Sequence, residues 1–211
     1  MTPKALHDLF RAHVRDEEYP YLWSETEVYL YMDEAQKMFC RRAGGIRDSL
    51  SDLCTVEFDA GDAFVDYDKR ILKLRHAKLD GRPIEIVNSE DIEYMRPAQP
   101  GRVCMLVLGD DAYTAFLRDI PTEDGELQLH VERLPLEPIT GPDSQLEIDD
   151  LHHYALLDWM VALAYNKQDA ETYDKSKAEE RAAKFLSYCD QAKTEQGRRE
   201  HKYRTISYGG I

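Results

Sequence analysis

Residues 151–185 read LHHYALLDWMVALAYNKQDAETYDKSKAEERAAKF and contain two helices with different burial demands. Along 151–165 apolar side chains point in nearly every direction around the helix axis, interrupted mainly by Asp158. A helix that is apolar all round must be covered on all sides. This one falls well short of the roughly 20 residues needed to cross a bilayer. Full cover therefore means a central position in a bundle or a seam between subunits. The second helix carries one narrow stripe, Ala178, Ala182, Phe185, Cys189 and Ala192, on an otherwise charged surface. The pairs Lys175–Glu179 and Glu180–Lys184 lie one turn apart and support it. Small residues on the stripe let a neighbouring helix approach closely, which points to subunit or bundle packing.

Upstream, Thr2 and Pro3 suit the N-cap and first turn of a helix that presents Leu6, Leu9, Phe10 and Val14. Ser24 and Glu27 form a capping box, and Trp23 with Val28 has the spacing of a hydrophobic staple. The face Val28, Tyr31, Met32, Ala35, Met38 and Phe39 follows, and Gly44-Gly45 stops that helix. Periodicity then changes to that of strands. Segments 55–58 and 63–67 flank a turn at Ala60-Gly61-Asp62, and 71–79 and 82–87 flank Asp80-Gly81, the strongest hairpin signal in the chain. Strict alternation over 71–79 places Ile71, Lys73, Arg75, Ala77 and Leu79 on one face. Segment 89–95 suits one helical turn, and 103–108, 113–117 and 127–134 supply further strands. Prolines 135, 138 and 142 close the β region, and helices resume near Asp149.

The expected fold class is α+β: an α-helical bundle from N- and C-terminal helices, with an inserted antiparallel β region and an extended C-terminal tail. The expected division is 1–53 with 143–197 for the bundle, 54–142 for the β insertion and 198–211 for the tail.

Charge narrows the function classes. The chain has 211 residues and a formal charge of −14, which argues against a general nucleic-acid binder needing clustered Lys and Arg. The tail is different: Arg198, Arg199, Lys202 and Arg204 stand with Tyr203, Ile206, Tyr208 and Ile211 in a basic, aromatic segment. Such anchors suit a partner surface. Tyr19, Tyr21 and Tyr29 also fall outside the expected core, and tyrosine offers contact area with a polar tip. The N-terminus lacks the apolar run of a signal peptide, no transmembrane run is present, and no membrane partner is expected. Cys40, Cys54, Cys104 and Cys189 are scattered, which suits buried free thiols in a reducing compartment.

Enzyme signatures are absent: no Walker loop, no GxGxxG after a strand, no GxSxG and no HExxH. Asp149, Asp150, His152 and His153 come nearest to a metal cluster. Adjacent side chains on a helix point about 100° apart, however, so the two histidines cannot easily share an ion. Acids in a first turn are ordinary cap residues. Neither metal nor cofactor is expected. Asp158, alone on its apolar helix, is expected to meet an arginine or hydroxyl across a packed seam.

Several local motifs, in order, resemble the head-to-tail adaptor (connector) proteins of tailed bacteriophages, including the podophage tail-tubular protein A-like adaptors. They are Leu22-Trp23-Ser24 with Glu27, leading through Asp33-Glu34-Ala35 to Cys40-Arg41-Arg42. The Ala60-Gly61 turn follows, then Asp68-Lys69-Arg70-Ile71-Leu72 running into the Asp80-Gly81 hairpin, then Arg133-Leu134-Pro135. The last block is Leu156-Leu157-Asp158-Trp159 through Ala164-Tyr165 to Asp169-Ala170-Glu171-Thr172, with Phe185. The resemblance covers most of residues 20–190. The stretch 95–108 lacks the tryptophan expected of the family, and the chain after Gly197 finds no match.

The resemblance implies a non-enzymatic virion protein, assembled in the host cytoplasm. It implies a homo-oligomeric ring (a dodecamer in the family's common form) between the portal protein and a tail or nozzle protein. DNA would pass through that ring without specific binding. Residues 198–211 would take the portal-binding role, and Asp158, Trp159, Tyr165, Ala178, Ala182, Phe185 and Cys189 the subunit or bundle packing. Two other classes compete: a cell-wall glycan hydrolase associated with the tail, and a soluble non-virion binding module. Turnover of peptidoglycan would mark the first, and a strict monomer that never joins a portal the second.

Overall fold

The computed structural model describes residues 1–92, 99–109, 111–169 and 172–199. The chain divides into two compact units, Gly45–Glu137 and Met1–Gly44 with the chain from Pro138 onward.

In the helical unit, α1 (Pro3–Val14) starts where Thr2 Oγ1 accepts the Ala5 N–H at 3.2 Å, and it ends at Arg15, whose φ is 58°. Helix α2 (Glu25–Ala43) opens on the full capping box. Ser24 Oγ accepts the Glu27 N–H at 3.3 Å, and the Glu27 carboxylate accepts the Ser24 N–H at 2.8 Å. Replacing Ser24 by alanine is expected to cost about 1 kcal/mol, read as a lower midpoint when the helical circular-dichroism signal is melted. An unchanged midpoint would show that the box is idle. Gly44, at φ 101°, caps the other end in the left-handed region that side chains avoid.

The inner face of α2 carries polar groups as well as apolar ones. Buried Asp33 accepts the Ile139 N–H at 3.0 Å, and buried Gln36 accepts the Glu147 N–H at 2.7 Å. These two side chains satisfy backbone donors of the returning chain, the buried Ile139 N–H among them. A 3₁₀ turn at Asp150–His152, capped by Asp149, leads into α3 (His153–Tyr165). The long α4 (Lys175–Arg199) follows. Helices α1, α2 and α4 all pack on α3, whose Leu156, Met160 and Ala164 have no exposed surface. No described helix is long and apolar enough to cross a membrane.

The other unit is built on β1 (Ile46–Asp48), β2 (Thr55–Phe58), β3 (Phe64–Asp66), β4 (Ile71–Leu79) and β5 (Arg82–Asn88). After these come β6 (Pro100–Gly101), β7 (Met105–Leu108), β8 (Thr114–Arg118), β9 (Ile120–Pro121) and β10 (Gly125–Arg133). An eight-stranded sheet runs β1-β10-β4-β5-β7-β8-β3, with β2 also on β10. The short β6 and β9 pair separately. The β4–β5 hairpin turns at Asp80 (φ 51°) and Gly81 (φ 75°), as their sequence requires.

The architecture differs from the expected one. The chain is an α+β mix, but its sheet is a curled, mixed half-barrel accompanied by four helices among the described residues. It is not an N- and C-terminal helical bundle with an antiparallel layer set into it. Strand β7 runs parallel to β5, pairing Glu85 with Met105 through Asn88 with Leu108. The intervening connection is long enough to carry the chain back before it pairs, which a tight hairpin never does. Segments 55–58 and 63–67 do not form a hairpin either, because β2 pairs with β10 and β3 with β8.

The alternation expected along 71–79 is also broken. Opposite β10, Ile71 faces Arg133 but Lys73 faces Glu132, and Leu74 faces Val131 but His76 faces His130. Leu72 and Arg75 are therefore extra residues in two bulges, each of which bends and twists the strand. The bulges turn Ile71, Leu74, Ala77 and Leu79 inward together and help curl the sheet over one core with Leu106, Leu117, Leu127, Leu129 and Val131.

Candidate interface

The helical unit gathers the packing residues expected from sequence around α3. Asp158, only 7 % exposed, receives an Arg181 Nη1–H at 2.9 Å, and Lys184 Nζ stands 3.1 Å from its other oxygen. The partners come from one helix, α4, across the α3–α4 seam. The Trp159 ring lies 5.2 Å from that of Phe185, which is wholly buried. Ala178, Phe185 and Cys189 are buried and Ala182 and Ala192 half-buried, so the stripe faces inward within its own chain. Burial pushes the Cys189 thiol up to about 12, which leaves it protonated at neutral pH. Tyr165 sits at the far end of α3, 5.8 Å from the Trp23 ring, with Lys177 Nζ 4.9 Å from its own ring centre.

The 3₁₀ turn and the first turn of α3 are not covered on every side as their composition suggested. Leu151 is 67 % exposed and Tyr154 59 %. With Ala155, Asp158, Lys184, Ser187, Tyr188 and Gln191 they line an open groove of about 400 Å³ between α3 and α4. His152 and Tyr188 shape one end of it: His152 Nδ1 lies 2.9 Å from the Tyr188 hydroxyl, which donates to the Leu151 carbonyl at 3.3 Å. Burial holds the His152 pKa below its ordinary value, opposed by Asp149. Desolvation, then the Arg181 charge, likewise lowers His13 at the end of α1.

The nearest thing to a metal cluster is spent on structure. Asp149 caps the 3₁₀ turn through the Leu151 N–H, His152 holds Tyr188, and His153 is buried with Nε2 on the Ile148 carbonyl at 2.9 Å. No group of three metal-ligating side chains occurs among the described residues. Cys40, Cys54 and Cys189 are buried thiols, whereas Cys104 is exposed.

A second surface was only partly legible. Segment 15–23 links α1 to α2 and displays Tyr19 at 87 % exposure, with Tyr21 and Leu22 beside it. Tyr29, expected with them outside the core, is instead buried and stacked on His7 at 5.2 Å. The segment is held from beneath. Buried Asp16 accepts the Leu22 N–H at 2.8 Å and the Trp23 N–H at 3.3 Å, and it pairs with the buried Arg11 guanidinium. That guanidinium lies 4.1 Å below the Tyr21 ring centre. Trp23 is buried and donates its indole N–H to the Ala164 carbonyl at 3.1 Å. Nothing in the spacing of Arg11 and Asp16 announces this clamp, because the left-handed Arg15 between them ends the helix first.

Of the tail residues, Arg198 and Arg199 occupy the last turn of α4 and are exposed. Lys202, Tyr203, Arg204, Ile206, Tyr208 and Ile211 lie outside the described residues, as does the expected extended tail.

A family model described as SU10 adaptor protein matches residues 1–207. No curated protein matches the chain.

Proposed function

We propose, for a chain that belongs to the SU10 adaptor protein family, that it joins the portal of a phage head to the tail as one subunit of a homo-oligomeric ring. Membership in a family of phage adaptors supports reading it as a structural, non-catalytic protein of the virion. The observation that carries the finer reading is the family match over nearly the whole chain, to which the two exposed surfaces of the helical unit add contact area. Its partners are the portal protein, a tail or nozzle protein and further copies of itself. The ring takes the dodecameric form common in such adaptors and lines the channel through which DNA passes. An excess of acid suits that role, since like charge keeps a wall from gripping phosphates.

The basic, aromatic segment 198–211 supplies the portal contact. Arg198, Arg199, Lys202 and Arg204 provide charge, and Tyr203, Ile206, Tyr208 and Ile211 the apolar anchors. Electron microscopy of the full chain mixed with its portal is expected to show a ring seated on the portal. Deleting 198–211 is expected to abolish that seating while leaving the melting curve of the chain intact. Undiminished docking of the truncated protein would remove the tail from this role. A full-length chain that never forms a ring, with or without portal, would overturn the adaptor-ring reading itself.

A further inference from the structure

We infer that the loop 15–23 of one copy docks into the α3–α4 groove of the next, with Tyr19 as the inserted side chain. The inference rests on the ring proposed above and names the surfaces that would close it. Four observations lead there. The groove has the volume of a small binding cleft, at the lower end of roughly 300–1,000 Å³, and exposed Leu151 and Tyr154 form its apolar rim. Two large apolar side chains exposed side by side at a groove offer area that a partner could bury.

The loop offers a side chain to fill it. Tyr19 stands almost fully in solvent and rests edge-on against Tyr21, with ring centres 6.0 Å apart. Asp16 and Arg11 tie the loop from below at Leu22 and Tyr21, and such bracing lowers the cost of docking.

The charges agree as well. At the groove, Arg181 and Lys184 surround the single carboxylate of Asp158 and leave one positive charge over, with the Lys184 side chain 60 % exposed. The loop presents Glu17 and Glu18, both exposed, beside Tyr19. Contact would set acid against base in a chain that is otherwise strongly acidic.

Finally, a copy cannot fill its own groove this way. No loop residue lines the groove, and Trp23 anchors the loop at Ala164, ten residues and about 15 Å along α3 from Tyr154. The two patches are different surfaces of one unit, so the contact is head-to-tail, the kind that closes rings.

The test uses the full chain with Tyr19→Ser in one variant and Tyr154→Glu in another. Both positions are exposed, so melting curves should match the wild type and separate a lost contact from a lost fold. In sedimentation velocity over a concentration series, and on the portal, each variant alone is expected to self-associate roughly tenfold more weakly or worse. An equimolar mixture should recover pairs but no rings, because one intact groove then meets one intact loop. Variants that assemble like the wild type would overturn this interface and leave the ring standing. Variants that fail singly and do not recover on mixing would also overturn it. A wild type that stays monomeric, even with the portal, would bring down both.

Discussion

Replacing Asp16 by alanine is expected to destabilise the helical unit by about 3–5 kcal/mol, the usual consequence of removing one partner of a buried ion pair. The carboxylate is 4 % exposed and its guanidinium partner on Arg11 is 5 % exposed. Loss of the acid leaves that cation buried without its counter-charge and strands the N–H groups of Leu22 and Trp23 as well. Urea unfolding followed by the helical signal should show a midpoint far below that of the wild type. Adding Arg11→Met to Asp16→Ala should return part of the loss, because the unpaired charge goes with it. The two backbone donors would still lack an acceptor, at about 1–3 kcal/mol. A double variant as unstable as the single one would show that the pair is not the source of the clamp's stability. The same variant should also blunt self-association, since it loosens the loop that carries Tyr19.

Asp16 illustrates where sequence reading stops. Signals that act within a few residues were legible: Thr2 with Pro3, the Ser24–Glu27 box and the Asp80-Gly81 turn each form where their chemistry requires. Asp158 was legible for another reason, since a lone acid on an apolar helix needs a partner, and Arg181 with Lys184 supplies it. Composition alone was misleading at Leu151 and Tyr154. They extend an apolar run, yet they sit where α3 begins and α4 leaves a gap, so their exposure depends on helix placement. The family was readable from motif order across residues that are far apart in the chain.

The β region failed for a physical reason that pattern reading shares generally. Period-two alternation reports which side chains share a face only while register is unbroken. Leu72 and Arg75 each insert one residue opposite β10, so the first bulge inverts the faces of Lys73 and Leu74 and the second restores the original alternation at Ala77 and Leu79. Turn chemistry likewise announces tight antiparallel hairpins, while the parallel β5–β7 pair is made by a long connection with no comparable local mark. The half-barrel was therefore hidden in sequence even though most of its strands were located.

The curled sheet has its own buried electrostatic latch, and removing it is expected to be as costly as losing Asp16. On β1, Asp48 accepts the Arg133 Nε–H at 2.6 Å, the Leu50 N–H at 2.9 Å, the Ser51 N–H at 3.2 Å and the Ser51 hydroxyl at 2.6 Å. Its side chain and that of Arg133 are 10 % and 8 % exposed. The pair ties the edge strand β1 to β10 beside their backbone ladder. Asp48→Ala should therefore cost about 3–5 kcal/mol in the β unit, because the buried Arg133 loses this carboxylate and the Leu50 and Ser51 donors lose their acceptor. Burial by itself would raise the Asp48 pKa, but the Leu50 N–H, the Ser51 hydroxyl and Arg133 outweigh it. They hold the carboxyl well below the usual carboxylate range. A depressed folded-state pKa contributes stability that is present in full above the unfolded value, near 3.9, and is lost as pH falls below it. Asp48→Asn keeps the shape and loses the charge, so its deficit against wild type should be largest at neutral pH and shrink steadily below about pH 4. Urea midpoints of the two proteins across that range provide the measurement. A deficit that stays constant on acidification would mean that the Asp48 charge does not stabilise the sheet.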